Sequence, residues 1–313
     1  MDRIAVIVGP TATGKTRLSV ALAKALDGEV ISADSMQVYR GMNIGTAKVT
    51  TEEMDGVRHH MVDVVEPGED FSAARYVEMA DPILQDILRR GKTAVIAGGT
   101  GLYVDALMTG RTFAPYPSTG KREELEKEAE RQGMEVMLER LRRVDPDSAE
   151  RLPISDRKRI LRALEVYAET WKTITQHNLE TQQIPDKYHP VWIGLDFANR
   201  ADLYRRIDQR VDWMLRQGLL KEIQSLLERG VSRRCTAMQA IGYKEFFSVL
   251  DGTEQLETAV AQVKRESRRY AKRQRTWFYR NPRVHWIIQP EVPDFSEVLK
   301  EALMQIPFFD TGA

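Results

Sequence analysis

The 313 residues contain a single cysteine, Cys235, which excludes an intrachain disulfide and leaves no cysteine-based zinc site to build. So thiol-poor a chain is expected to work in a reducing cytoplasm. Long apolar runs are lacking too. The one at the start, Ile4 to Val8, passes straight into a glycine-rich loop and is too short for a signal peptide's apolar core or a membrane span. No membrane partner is expected. Net charge is also absent, with 46 basic residues against 46 acidic. That balance does not exclude a nucleic-acid partner, because the charge is unevenly placed: Lys264 to Arg283 holds nine Lys or Arg and one acid, Glu266. There is no internal repeat and no low-complexity segment. With 42% hydrophobic and 29% charged residues the composition is that of an ordinary globular protein, long enough for two domains or for one with an insertion.

What the chain does have is "GPTATGKT", formed by Gly9, Pro10, Thr11, Ala12, Thr13, Gly14, Lys15 and Thr16. It fits G-x-x-x-x-G-K-[ST], four fixed positions that roughly one chain in a hundred of this length would show by chance. Context decides. The signature needs a buried strand before it and a helix after it. "RIAVIV" supplies the first, and "TRLSVALAKAL", with Leu18, Ala21, Leu22 and Ala25 three or four apart, supplies the second. The loop therefore reads as a phosphate-binding nest of backbone N–H groups, with Lys15 neutralising the phosphate and the Thr16 hydroxyl available to Mg²⁺.

Over the first hundred residues short apolar runs, "IAVIV", "EVISA", "MVDVV" and "TAVIAGG", alternate with helical patterns. Such alternation implies an α/β fold of the P-loop NTPase-like kind, a parallel sheet with helices on both faces. From about Phe113 the texture turns charged, amphipathic and glycine-poor, and no strand-like run follows until "PVWIGLDF" at Pro190. Residues 114–189 are thus expected to form an inserted helical subdomain, with 1–113 and 190–313 making the core. Strands are expected at Val191 to Leu195 and Val284 to Ile288, and long helical stretches at 201–229 and 254–280.

A nucleotide hydrolase or kinase of this type wants an acid closing a second apolar strand, to help hold Mg²⁺. "TAVIA" closes instead on Gly98-Gly99-Thr100-Gly101. The strand that ends in an acid is "EVISA", at Asp34, which opens "DSMQVYRGMNIGTAK". At the carboxyl end of a parallel strand beside the phosphate loop, Asp34 would face the ligand crevice. General base, Mg²⁺ support and helix N-cap are all open to it. Ser35 and Gln37 add groups suited to an adenine edge.

Taken together, "GPTATGKT", "DSMQVYRGMNIGTAK", "GGTGLYVDAL", "DRKRILRALEVY", "RIDQRVDWMLRQGL", "AIGYKE" and "RRYAKRQRTWF" resemble, in order, the blocks of the bacterial tRNA dimethylallyltransferases, also called tRNA isopentenyltransferases. The resemblance runs from Gly9 to Phe278. It implies transfer of the dimethylallyl group from dimethylallyl diphosphate to N6 of adenosine 37, next to the tRNA anticodon, with release of pyrophosphate. Asp34 would then take the N6 proton, Thr100 would lie beside the reacting centre, and Lys15, Arg210 and Thr16 with Mg²⁺ would neutralise the departing pyrophosphate. Contacts to the tRNA anticodon stem-loop are implied for Asp34, Ser35, Met36, Gln37, Thr100, Glu123, Lys158, Arg159, Ile160, Leu161, Arg162, Gln239, Gly242, Lys244, Lys272, Arg273 and Gln274. A monomer is expected. One departure stands out: Trp171 occupies a turn where members carry a small residue.

Periodicity in the basic stretch puts Val263, Ser267, Tyr270, Gln274 and Trp277 on one stripe and Arg265, Arg268, Arg269 and Lys272 on another, so one face can pack while the other tracks phosphates. Trp277 and Phe278 are expected in the core, and His59-His60 in a structural role. Other readings remain. A kinase would need an acid where the Gly-Gly-Thr-Gly ending stands. Prenylation of a free nucleotide leaves the insertion and basic segments without purpose. A nucleotide-gated RNA-binding module would make Asp34 dispensable. The nest reads phosphates rather than what carries them, so ATP also fits the loop.

Overall fold

The computed structural model describes residues 2–110, 113 and 119–307. Along the chain run β1 (Ile4–Val8), α1 (Lys15–Ala25), β2 (Gly28–Ser32), α2 (Thr51–Met54), β3 (His59–His60), α3 (Ala73–Arg89), β4 (Thr93–Ala97) and α4 (Gly101–Thr109). Then come α5 (Lys121–Gln132), α6 (Met134–Val144), α7 (Pro146–Arg151), α8 (Arg157–Thr170) and α9 (Ile174–Gln182). The last group is β5 (Val191–Phe197), α10 (Arg200–Arg216), α11 (Leu219–Glu228), α12 (Phe247–Leu250), α13 (Leu256–Phe278), β6 (Val284–Gln289) and α14 (Phe295–Met304). The chain forms two compact units, one of residues 1–108 with 188–313 and one of 109–187. The expected start of the insertion, residue 114, lies outside the described residues.

The first unit is built on a six-stranded sheet in the order β3-β2-β4-β1-β5-β6, parallel throughout. Covered on both faces, its central strands are apolar runs without polar alternation, and every residue of β1 and β5 is buried. Successive side chains take opposite faces. Ala5 and Ile7 pack with Leu18 and Leu22 of α1 and Val298 and Ala302 of α14. Ile4, Val6 and Val8 pack with Tyr76, Ala80 and Leu84 of α3, Ile223 of α11 and Val263 of α13. Both layers leave the carboxyl ends of β1, β2 and β4 together at one edge, and there the loops carrying the candidate chemistry emerge.

Two expected elements differ. "MVDVV", Met61 to Val65, is not a strand: β3 stops at His60, and Met61 and Asp63 take left-handed φ of 61° and 54°, which a strand cannot accommodate. Only Val65 reaches a bridge, to Tyr39. The stretch 201–229 is two helices because Gly218, at φ 97°, ends α10 and starts α11.

At the amino-terminal edge of β2, the buried Glu29 carboxylate is held by Arg90 in a two-pronged pair and by His60 Nε2 at 2.8 Å. The Arg90 hydrogen bond, followed by that of His60, lowers the Glu29 pKa from 4.5 to about 2. A folded-state pKa below the unfolded one stabilises above pH 4.5 and ceases to do so as pH falls through 2. Glu29→Gln should therefore cost about 3 kcal/mol at pH 7, with a gap from wild type that shrinks steadily below pH 4.5. Urea melts at a series of pH values check it, and a gap independent of pH would refute it.

In the second unit Leu125, Ala129, Met137, Leu141, Ile160, Leu161 and Leu164 close a small core among α5, α6 and α8. Asp145 caps α7 and also accepts from Thr175, and Thr173 caps α9 in a reciprocal box with Gln176. Trp171 ends α8 in the left-handed region, at φ 57°, with its ring 80% exposed and edge-on to Tyr167 at 5.9 Å. Glycine is the residue that position favours. Trp171→Gly relieves about 1 kcal/mol of backbone strain and forfeits a ring contact of about the same size, so its stability should match the parent. Trp171→Ala keeps the strain and loses the ring, and should melt below Trp171→Gly. Equal melting of the two variants would show that the turn is unstrained.

Candidate active site

The phosphate loop leaves β1 and enters α1 through two left-handed residues, Ala12 at φ 66° and Gly14 at φ 93°. Its carbonyls are taken by the protein: Pro10 O accepts from Thr13 Oγ1 at 2.9 Å and Lys15 Nζ at 2.7 Å, Ala12 O from Arg206 at 3.1 Å, and Thr13 O from Gln289 at 3.0 Å. A loop with its carbonyls occupied offers its amides to an anion. Arg210 reaches in from α10 and donates to Thr11 Oγ1 at 3.2 Å. Neither Lys15 nor Arg210 is ion-paired with a carboxylate among the described residues. Burial, then the Arg210 charge, pulls the Lys15 pKa down to about 7 against the opposing pull of Asp34, and burial also lowers that of Arg210. Two cationic groups pressed together, with Asp34 acting on both from beyond ion-pair distance, gain from a bound phosphate.

Asp34 follows β2 directly. Its Oδ1 accepts the N–H groups of Met36 at 2.8 Å and Gln37 at 3.3 Å, while Oδ2 has no partner among the described residues. No helix follows it directly, so Asp34 closes a turn rather than capping a helix, and the same carboxylate keeps one oxygen free. Thr100 stands a step behind, its N–H donating to Ala33 O at 3.1 Å and its Oγ1 accepting the Ser35 N–H at 3.0 Å. The glycines before it are required by close approach: a Cβ on Gly98 would lie 2.1 Å from Ala33 O, and one on Gly99 2.1 Å from Gln274 Nε2.

These groups surround a cavity of about 520 Å³ whose wall includes Gly14, Lys15, Thr16, Asp34, Gln37 and Arg210. A second cavity, of about 290 Å³, is lined by Ser35, Met36, Gln239, Gly242 and Arg273. Thr11, Asp34, Thr46, Arg210 and Tyr270 line both, so the two meet at Asp34. Burial, then the Asp34 charge, pushes the Tyr270 hydroxyl up to about 12, and it stays protonated at neutral pH.

The structure distributes the residues expected to touch RNA unevenly. Lys244, Lys272 and Arg273 are exposed, Gln239 is exposed with its Nε2 donating to Arg233 O, and Gly242 is buried at φ 92°. Gln274 is buried: it accepts the Thr11 N–H at 2.8 Å and donates to Gly99 O at 3.0 Å, so it braces the phosphate loop. Gln37 is likewise engaged, donating to Thr46 O and Ala47 O and accepting from Ser32 Oγ.

In the helical unit Glu123, Lys158 and Arg159 are exposed, whereas Ile160 and Leu161 lie wholly in the core, their side chains out of any ligand's reach. Arg162 is paired with the buried Glu165 at 3.0 Å.

The expected cationic face of α13 is partly spent on packing: Arg268 is bound to Asp208 of α10 at 2.7 Å. Phe278 is in the core, but Trp277 is 40% exposed, donating Nε1–H to Asp105 at 2.8 Å, which corrects the core expectation. His60 serves Glu29 and His59 Nδ1–H donates to Val57 O at 2.9 Å, and no cluster of three metal-ligating side chains occurs among the described residues.

Sequence reasoning took Tyr270 and Gln274 only as a packing stripe and an RNA contact. Their spacing of four placed them on one face of α13, and nothing in the sequence said that this face meets the phosphate loop.

The description "IPP transferase" belongs to the family model that matches residues 37–281. The phosphate loop lies ahead of that match. A tRNA dimethylallyltransferase of Acetivibrio thermocellus is 44% identical over 96% of both chains, and one of Geobacillus thermodenitrificans is 46% identical over 97% of this chain and 96% of its own. Among solved structures, the full-length tRNA isopentenylpyrophosphate transferase of Bacillus halodurans is 43% identical, with a TM-score of 0.71 over 96% of this chain and 94% of that one. A eukaryotic dimethylallyltransferase acting on tRNA, 31% identical, gives 0.79 over 95% of this chain and 75% of its own.

Proposed function

The chain belongs to the IPP transferase family, and from that premise we propose that it moves the dimethylallyl group of dimethylallyl diphosphate onto N6 of adenosine 37 in the tRNA anticodon loop, releasing pyrophosphate. The observation that carries this reading is the junction of the two cavities. An anion site with two cationic side chains that no carboxylate pairs among the described residues opens, at Asp34, into a second chamber walled by Ser35, Met36, Gln239 and Arg273. The diphosphate occupies the first chamber and the target base, unstacked from its loop, the second.

As N6 attacks the allylic C1, the C1–O bond breaks and its electron pair leaves on the bridging oxygen. The N6 proton passes to Oδ2 of Asp34. Lys15, Arg210 and the loop amides receive charge that grows only in the transition state, where preorganised donors are worth most. Mg²⁺ fits the donor set in one way. The Thr16 hydroxyl is in the cavity wall, and with no ready three-ligand cluster the ion would be held by Thr16 together with the phosphates it accompanies. Bound so, it supplies neutralising charge. Of the cationic side chains expected to hold the RNA, Lys158, Arg159, Lys244, Lys272 and Arg273 are exposed for phosphate contacts.

No helix among the described residues is long and apolar enough to cross a membrane.

The test is mass spectrometry of nucleosides from an unmodified tRNA incubated with the protein, Mg²⁺ and dimethylallyl diphosphate. One C₅H₈ added to a single adenosine is expected. No adduct, with turnover of ATP instead, would return the site to the kinase reading.

A further inference from the structure

The turn from Asn43 to Lys48 belongs to no helix or strand, yet Thr46 lines both cavities, Gly45 the second and Ala47 the first. Within it Lys48 N–H donates to Asn43 O at 2.9 Å and Ala47 N–H to Ile44 O at 3.0 Å, and its first three amides are held from a distant helix. The N–H groups of Asn43 and Ile44 donate to Glu222 Oε2 at 2.8 and 2.7 Å, and that of Gly45 to Oε1 at 3.1 Å. Tyr243 Oη donates to the same Oε1 at 2.7 Å. Three consecutive amides converging on one carboxylate form an anion nest, here filled by a side chain of the protein itself. The Tyr243 ring lies against Gly45 so closely that a Cβ there would fall 2.4 Å from it.

From this turn the contacts lead back to the reacting group. The carbonyls of Thr46 and Ala47 each accept from Gln37 Nε2 at 3.3 Å, and the Gln37 N–H donates to Asp34 Oδ1, also at 3.3 Å. At the far end Lys48 Nζ donates to Tyr39 O at 2.7 Å and to Asn43 Oδ1 at 2.9 Å and pairs with Asp63 at 2.5 Å.

We propose that Glu222 is a positioning residue for the transfer: by filling the nest it sets the Asn43–Ala47 turn, and through Gln37 and Thr46 it sets Asp34 and the wall of the chamber that takes the base. The inference rests on the functional reading above and extends it to a side chain outside the cavities. All four partners of Glu222 are donors. Glutamine would turn its own NH₂ toward at least one backbone N–H, which cannot accept as the Tyr243 hydroxyl can, so the three amides are satisfied together only by the carboxylate.

Glu222→Gln is expected to lower kcat/KM for the tRNA by about 10- to 100-fold, the scale on which a misplaced wall slows an oriented reaction. Binding of dimethylallyl diphosphate without RNA, followed by calorimetry, should stay within about twofold, since the phosphate loop is held by Gln274, Gln289 and Arg206. Tyr243→Phe removes one donor and leaves the nest, and should shift the same constant in the same direction by a few fold. It also decides the matter if Glu222→Gln does not fold. Equal loss of tRNA turnover and diphosphate affinity, or kinetics of both variants within twofold of wild type, overturns the proposal. An inactive wild type overturns the functional reading and this inference together, whereas an active wild type with unchanged variants overturns this inference alone.

Discussion

Asp34→Asn is expected to lower kcat for prenyl transfer by about 10²- to 10⁴-fold, the range a positioned general base contributes, while the dissociation constant for tRNA changes little. The choice of asparagine matters. Its Oδ1 can still accept the Met36 and Gln37 N–H groups that the aspartate holds at 2.8 and 3.3 Å, so the turn survives, and only the free oxygen becomes an amide that cannot take a proton. The exocyclic amine of adenine is a weak nucleophile, its lone pair delocalised into the ring. Attack on C1 leaves a positive nitrogen unless the proton departs as the bond forms. The loss should therefore appear in single-turnover rates with both substrates saturating. Diphosphate affinity should hold or rise, because the variant removes a negative charge that acts on Lys15. A single-turnover rate within threefold of wild type would leave Asp34 as the closure of a turn and nothing more.

The features legible in the sequence are those written contiguously. The phosphate loop is eight adjacent residues between a strand run and a helix run, and the parallel sheet follows from apolar runs separated by helical ones. The position of Asp34 at a strand end needed no contact information, whereas the order of the strands in the sheet had no signal in the sequence. The roles of Asp34 and Arg210, by contrast, came from the family resemblance, since their residue types alone allow a cap and a surface charge. What stayed hidden is assembled over long separations. Thr11 meets Gln274 across 263 positions, and Asn43 meets Glu222 across 179. A glutamine on an amphipathic helix carries no mark of whether its face meets solvent, RNA or another loop. Met61 to Val65 misled for a local reason: apolar content satisfied the strand pattern, while Asp63 turned left-handed, its carboxylate binding Lys48 and its carbonyl Arg40. Gly218 was legible as a helix end but was read through. Trp277 has the bulk of a core residue and an N–H whose partner, Asp105, is 172 positions away.

Lys15→Ala should be nearly as damaging as loss of the base, with kcat down about 10²- to 10³-fold, and it should separate the two halves of the site. Lys15 lines the first cavity and not the second, so tRNA affinity is expected to hold while inhibition by pyrophosphate weakens. In the free protein the ammonium is folded onto Pro10 O at 2.7 Å, beside Arg210 and with no carboxylate partner. That arrangement costs free energy until an anion arrives, and the relief grows as negative charge collects on the leaving oxygen. Truncating the side chain therefore removes stabilisation mainly from the transition state, and the deficit should concentrate in kcat rather than in KM for tRNA. Arg210→Ala acts on the same developing charge from α10. The double variant should consequently lose much less than the product of the two single losses, as groups that work as one unit do. Strict multiplication of the effects would mean that the two cations serve different steps. Turnover undiminished in Lys15→Ala would remove the loop from the chemistry altogether.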